Sequence, residues 1–208
     1  GDALLFVAAQ IDANVENPEL TDVFSIGTVC RIKHCSRMPA DNLRVSVETL
    51  YAARLCEVYS TEEYFSVGVE KIEPDYGDEN ETEAYFRFVK NEMRNFIAAQ
   101  NLRGAKETFN AILSLTDANA FVNAATYNFS FKEGDKQRVL ETTSVKDKLY
   151  IFYELLINEI EISKTQREIA EKVRVGIEKN QREYYLREQL KVIHDELGDG
   201  EEERDELE

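Results

Sequence analysis

Only a few side chains in this sequence have types and spacing that could support chemistry at a metal or a nucleophile. Cys30, His34 and Cys35 place two thiols and an imidazole within six residues, and these are ligands that zinc prefers. A structural zinc site needs four ligands, and no second pair follows at the usual spacing. The sequence therefore favours buried structural cysteines over a metal site. His194 is 160 residues from His34, and no nucleophile or acid signature accompanies either histidine.

Motifs that hold nucleotides or activate nucleophiles are also missing from the sequence. It contains no GxxxxGK[ST] phosphate loop, no GxGxxG, no HExxH and no GxSxG. We therefore expect the chain not to be an enzyme by itself, and to carry no catalytic residue, cofactor or metal of its own.

Composition limits the class of protein further. The 208 residues include three cysteines, and an odd number without a CxxC pair is typical of a reducing compartment. No apolar run approaches the ~18 residues of a membrane span. The net charge is −16, and lysine and arginine form no cluster that could neutralise phosphates. These features predict a cytoplasmic protein with no membrane contact, and they argue against nucleic-acid binding through this segment.

Residues 1–74 have the pattern of an antiparallel β-sheet or small open barrel. Apolar and polar side chains alternate around Ile26–His34 and again in Leu43–Val47. Between them, Met38–Asn42 supplies turn residues, so the pattern predicts a hairpin. Leu50 disturbs the alternation, as a β-bulge would.

The start of the chain has a different pattern. Ala3–Ala9 is a continuous apolar run, as in a strand that is buried on both faces. No polar segment precedes it, and four strands with an exposed edge would make a marginal sheet. We therefore expect the sequence to have been cut at its start.

A linker at 75–82 precedes a predicted helical bundle at 83–143. Asn80, Asp117 and Asp135 are predicted to cap three of its helices, and Gly104 to end the first one. Aromatic side chains recur at helical spacing, which indicates the core of a bundle rather than a ligand pocket; they are Phe86, Phe96, Phe109, Phe121 and Phe129.

One very long helix is predicted at 144–197, capped by Ser144. Apolar residues recur at three- and four-residue steps without a proline, and Gly176 is the internal glycine. Such a helix is too long to pack entirely against its own domain, so we expect a projecting arm. The alternative is a solvated helix that breaks at Gly176.

Tyr184, Tyr185 and Leu186 form an apolar group on the charged half of this arm, where no partner within the domain is expected. They are the candidate residues for contact with a substrate or partner. The alternative is that they pack against helices downstream of this sequence. Residues 198–208 are strongly acidic and are predicted to form a mobile tail.

The segment 178–198 resembles the end of the amino-terminal region of the bacterial ATP-dependent Lon protease family. Gln181-Arg182-Glu183-Tyr184-Tyr185-Leu186-Arg187-Glu188-Gln189 and Glu196-Leu197-Gly198 carry the likeness. Three further parts are similar in the same order: Asp2–Gln10, Phe24–Ile32 and Lys136–Glu141. The family's proline-rich first strand and the helix after it are absent here, as are its ATPase module and its Ser-Lys protease dyad.

The resemblance implies an α+β fold, with a β-rich subdomain followed by a small helical bundle and a long projecting helix. It implies a non-catalytic substrate-recognition and subunit-assembly domain of an ATP-dependent serine protease that degrades misfolded and regulatory proteins. Expected partners are unfolded or damaged proteins and, in the full-length protein, five further subunits of a homo-hexamer. ATP and magnesium would bind outside this chain. The alternatives are a free-standing LON-type adaptor or binding module and a structural coiled-coil spacer.

Overall fold

The fold was obtained as a computed structural model that describes residues 3–39, 42–60, 64–99 and 106–205, with side chains up to Leu197. The chain divides into two compact units, Gly1–Leu156 and Ile157–Glu208. The first contains a sheet and a helical bundle, and the second is helical.

A four-stranded antiparallel sheet opens the first unit, with strand order β1-β2-β3-β4. The strands are β1 (Leu4–Val7), β2 (Ile26–Arg37), β3 (Leu43–Ser60) and β4 (Ser66–Lys71). Strands β2 and β3 form the predicted hairpin. Val29 pairs with Tyr51 and Cys30 with Thr49, so Leu50 is the extra residue of the expected bulge.

The predicted burial of the first strand on both faces is wrong for this structure. Leu4, Leu5 and Val7 are exposed, and β1 is an edge strand that pairs with β2 alone in the described part of the sheet. The buried residues of the sheet lie instead in β2 and β3, and they include Val29, Cys30 and Ala53.

Four helices follow in the first unit, and a fifth begins there. They are α1 (Glu79–Ala99), α2 (Lys106–Ser114), α3 (Ala118–Asn128), α4 (Glu133–Glu141) and α5 (Val145–Asp205). Two predicted caps are wrong. Helix α1 begins before Asn80, and Asp78 Oδ1 accepts from the Glu81 backbone N–H at 2.8 Å. Lys132, not Asp135, is the residue that precedes α4. Gly104 lies outside the described residues.

The predicted aromatic core is confirmed. All five phenylalanines of the predicted stripes are buried, and Phe131 and Phe152 join them. Phe121 on α3 contacts Phe86 of α1 and Phe152 of α5, with ring centroids 5.3 and 6.3 Å apart. Edge-to-face contacts of this kind add to the free energy of burying the rings. The core therefore joins α5 to the bundle.

A buried hydrogen bond joins the sheet to the bundle, and a second hydrogen bond joins the linker to α5. Gln137 Nε2 on α4 donates to the Ile26 carbonyl at the start of β2, at 3.0 Å. The Val145 N–H, at the start of α5, donates to the Asp75 carbonyl at 2.7 Å. The first bond satisfies a buried backbone carbonyl that would otherwise lose water, and the second holds the start of α5 beside the linker. The architecture is the predicted α+β fold.

The predicted caps at Asp117 and Ser144 are confirmed. Asp117 Oδ1 accepts from the Ala120 N–H at 2.6 Å, and its Oδ2 accepts from the Tyr76 hydroxyl at 2.5 Å. Burial and this bond to Asp117 raise the pKa of Tyr76 to about 12. Ser144 Oγ accepts from the Asp147 N–H at 3.2 Å. Asp117 therefore joins the linker segment to α3.

The Asp117→Ala variant is expected to lose about 0.5–2 kcal/mol of unfolding free energy, since it removes an N-cap. Asp135→Ala is the matched control, because Asp135 lies in the first turn of α4 and caps nothing; it should cost no more than about 1 kcal/mol through the helix dipole. Urea unfolding followed by circular dichroism measures both. Equal losses would contradict the assigned capping role.

Lys148 is a buried cation of the bundle. Its side chain is 5% exposed, and Nζ donates to Asn119 Oδ1 at 3.1 Å and Asn123 Oδ1 at 3.4 Å. Burial lowers its pKa from the ordinary 10.5. The folded chain thus holds this proton less tightly than the unfolded chain, which destabilises the fold while the lysine is charged.

Lys148→Met is therefore expected to raise the free energy of unfolding at neutral pH. The gain should shrink as pH rises through the lowered pKa towards 10.5, because the wild-type penalty disappears once the lysine is neutral in both states. Urea unfolding of both proteins at neutral pH and close to 10.5 measures the difference. If the increase in unfolding free energy were the same at both pH values, it would come from better packing of methionine and not from removal of the buried charge.

Helix α5 is longer than expected. It continues through Gly176 and past the predicted end at residue 197 to Asp205, so the alternative of a break at Gly176 is wrong. Glycine lowers helix stability by only about 1 kcal/mol, and the glutamates that follow are good helix formers. Side chains beyond Leu197 lie outside the described residues.

Candidate functional site

The predicted contact residues lie together on α5, within the second unit. Tyr184, Tyr185 and Leu186 are 68%, 61% and 47% exposed. All three side chains are accessible, as the prediction requires. Exposed side chains of this size are candidates for contact with another chain.

The three residues do not share one face of the helix. Each residue of an α-helix is rotated by about 100° from the one before it, so three consecutive side chains point in three directions. Leu186 recurs at steps of four, three and four with Leu190, Ile193 and Leu197, all exposed. We call these four residues the distal stripe. Their spacing is that of a seam that packs against another helix or an apolar segment.

Tyr184 belongs to a different face. It follows Ile169, Val173 and Ile177 at helical spacing, and all are exposed. We call these four residues the proximal stripe. From the 3.6-residue period the two stripes are centred on the order of 130° apart around the helix axis. The second unit therefore presents two short apolar surfaces, and no single seam runs along it.

Tyr185 lies at the edge of a shallow, open hollow on this helix. Glu188, Gln189, Val192 and Ile193 line the rest of it. Gln189 Nε2 donates to the tyrosine hydroxyl at 3.0 Å, which holds the ring along the helix surface. Such a hollow can accept an apolar side chain from another molecule, but it does not enclose a ligand.

The candidate metal ligands are not brought together in the described part of the chain. Cys30 is buried, as expected, whereas Cys35 is exposed, so the expected burial of Cys35 is wrong. His34 and Cys35 are consecutive residues of β2, and their side chains point to opposite faces of the sheet. Among the described residues, no group of three potential ligands could hold a metal ion.

An exposed surface that the sequence reasoning missed lies on the β2–β3 hairpin. Leu43, Val45 and Val47 alternate along β3, which suggested a half-buried strand, yet they are 61%, 41% and 41% exposed. On the opposite face, Glu48 Oε2 accepts from Lys33 Nζ at 2.8 Å and lies 3.5 Å from Arg31 Nη1. The hydrogen bond and charge of Lys33 hold the pKa of Glu48 below its ordinary value. The alternation of apolar and polar residues correctly predicted a strand. It could not show that the apolar face of this strand is not covered by another element.

A family model and several named relatives match most of this chain. The family model of the ATP-dependent protease La (LON) substrate-binding domain matches residues 1–158. Lon protease of Heliobacterium modesticaldum is 35% identical over 96% of this chain, and Lon protease of Brevibacillus choshinensis is 32% identical over 95% of it. The chain spans about a quarter of the length of these relatives, 24% and 25% respectively.

A solved structure has the same fold. The N-terminal domain of a Mycobacterium avium complex Lon protease superimposes with a TM-score of 0.55 and 19% identity, over 74% of this chain and 90% of that domain. Within the described residues, none of the helices is both long and apolar enough to span a membrane. The family model covers the sheet, the bundle and the start of α5, and on this evidence the chain belongs to the family of ATP-dependent protease La (LON) substrate-binding domains.

Proposed function

We propose that this chain is the non-catalytic substrate-recognition and subunit-assembly domain of an ATP-dependent serine protease that degrades misfolded and regulatory proteins. The match of the LON substrate-binding model to residues 1–158 carries the proposal. ATP, magnesium and the Ser-Lys dyad would belong to the rest of the protein, which would act as a cytoplasmic homo-hexamer. Unfolded or damaged proteins are the proposed substrates.

The second unit supports a contact role beyond the matched residues. Its apolar side chains are exposed on two faces, and Tyr184, Tyr185 and Leu186 lie where the proximal stripe ends and the distal stripe begins. A client segment or a neighbouring subunit could bury either stripe. We propose these three residues as substrate or partner contacts.

Two observations disfavour the alternatives. Relatives named Lon protease match at least 95% of this chain, α5 included, which favours part of a protease over a free-standing adaptor. A coiled-coil spacer needs one apolar seam over many heptads, whereas the two stripes of α5 are out of phase.

Binding of an unfolded polypeptide tests the proposal. The probe is fluorescein-labelled α-lactalbumin, reduced and carboxymethylated so that it cannot fold, and the native disulfide-bonded protein is the control. Anisotropy should show saturable binding of the unfolded form, and apolar contacts predict that it persists at high salt. If no binding is seen with about 1 mM chain, the binding free energy is weaker than about 4 kcal/mol. That result would contradict recognition by this domain alone.

Serine substitutions then test the proposed contacts. Tyr184→Ser, Tyr185→Ser and Leu186→Ser together should weaken binding of the unfolded probe about tenfold, a loss of 1.4 kcal/mol. The matched control replaces three exposed apolar residues of α5 that lie outside both stripes: Tyr150→Ser, Ile162→Ser and Val175→Ser. Equal weakening by both triple variants would contradict a specific site at residues 184–186.

A further inference from the structure

The exposed edge of β3 is a short strand with a symmetric pattern. Its pairing with β2 has one extra residue, Lys33, and that residue lies in β2. Strand β4 pairs with β3 only from Ala53 onward, and the bulge lies at Leu50. In the described part of the sheet, Leu43–Thr49 therefore has β2 on one side and no strand on the other. An unpaired edge of this kind presents backbone N–H and C=O groups that can pair with another strand.

We propose that this edge pairs with the same edge of a second copy of the chain, antiparallel and about a two-fold axis at Ser46. This interface rests on the subunit-assembly part of the proposed function and deepens it, and it does not use the stripes of α5. A second copy of the same edge is proposed as the partner because the sequence of this edge matches itself when it is paired antiparallel. Ser46 is the middle residue of Leu43–Thr49, so an antiparallel pair centred there uses every residue of the free edge.

The same register matches side chains on both faces of the sheet. Directly opposite residues share a face in antiparallel strands, so Val45 would lie opposite the partner copy's Val47, and Arg44 opposite its Glu48. Each copy supplies both members of each pair, as a two-fold interface requires. Two valine pairs and two Arg–Glu pairs would form at once.

Neighbouring registers lose this match. A shift by one residue sets Arg44 opposite Val47 or Thr49, and a shift by two sets it opposite Ser46 or Leu50. None of these side chains carries the negative charge that Glu48 supplies. Glu48 keeps its contacts with Lys33 and Arg31, which both use Oε2, while Oε1 can accept from the partner's arginine. The charges that normally keep sheet edges apart therefore select one pairing here.

A cysteine at the proposed axis tests the geometry directly. Opposite Cα atoms in an antiparallel pair are about 4.5–5.5 Å apart, which suits a disulfide. With the exposed Cys35 and Cys56 replaced by serine, Ser46→Cys should form a covalent dimer on mild oxidation. Arg44→Cys is the control, because its symmetry mate lies four residues along the strand, on the order of 13 Å away. Equal cross-linking at both positions would overturn the register.

Sedimentation velocity with a charge swap tests the contacts. Arg44→Glu and Glu48→Arg should each weaken self-association about tenfold, because each removes both ion pairs and sets like charges opposite. The double variant should restore it. The variant with Leu186→Ser and Leu190→Ser is the control for association through α5. It should leave the β3-edge dimer intact. A chain that stays monomeric at about 1 mM, or a double variant no better than the single ones, would overturn the proposal.

Discussion

Replacing Phe152 with alanine is expected to lower the free energy of unfolding of the first unit by about 3–5 kcal/mol. Phe152 is 0% exposed and packs against Phe121, Phe129 and Phe131. The truncation removes the ring from the aromatic core and leaves a cavity that the close-packed neighbouring rings cannot fully close.

Urea unfolding monitored by near-ultraviolet circular dichroism reports this core, because the chain has no tryptophan and its aromatic signal comes from phenylalanine and tyrosine. Tyr150→Ala is the matched control: it removes an aromatic ring from the same turn of α5, but Tyr150 is half exposed. It should change stability by no more than about 0.5 kcal/mol. A loss below about 1 kcal/mol for Phe152→Ala would show that the start of α5 is not part of the core.

Gly27→Ala is expected to cost about 1–3 kcal/mol and to weaken the pairing of β1 with β2. A Cβ at this position would lie 2.3 Å from the Val7 carbonyl oxygen and 2.9 Å from the Phe6 ring. The nearest obstacle is backbone, which cannot rotate away as a side chain can. The strands would have to separate locally to admit the methyl group.

Gly134→Ala supplies the control for that variant. A Cβ there meets nothing within 4 Å, and the residue lies in the first turn of α4. Alanine is the better helix former, so this variant should be neutral or more stable by up to about 1 kcal/mol. Thermal and urea unfolding of both variants measure the difference. Equal stability of the two would contradict the close contact between β1 and β2.

The bundle and the long helix could be predicted because their signals are local. The phenylalanines lie in apolar stripes with three- and four-residue steps, such as Phe86, Val89, Met93 and Phe96, and all five predicted core phenylalanines are buried. Asp117 and Ser144 cap their helices because each directly precedes a helical run. The cap prediction at Asp135 was wrong because the N-cap is Lys132, three residues earlier, and the sequence does not decide between neighbouring starts.

Exposure could not be predicted in the same way, since it depends on which other elements cover a face. Leu4 and Val45 lie in apolar patterns that usually mean burial, yet both are exposed at the edges of the described sheet. Tyr184, Tyr185 and Leu186 were read as one group because they are adjacent in sequence. On a helix, adjacency in sequence separates side chains, and residues four apart are the neighbours.

Hydrogen–deuterium exchange tests most directly whether this chain captures unfolded polypeptide on the exposed face of α5. Exchange is measured with and without saturating reduced, carboxymethylated α-lactalbumin, using the native protein as the control. We predict slower exchange in peptides that cover Tyr184–Leu186 and the distal stripe, and no change in the aromatic core. Unchanged exchange throughout α5, with the probe bound elsewhere or not at all, would contradict the account.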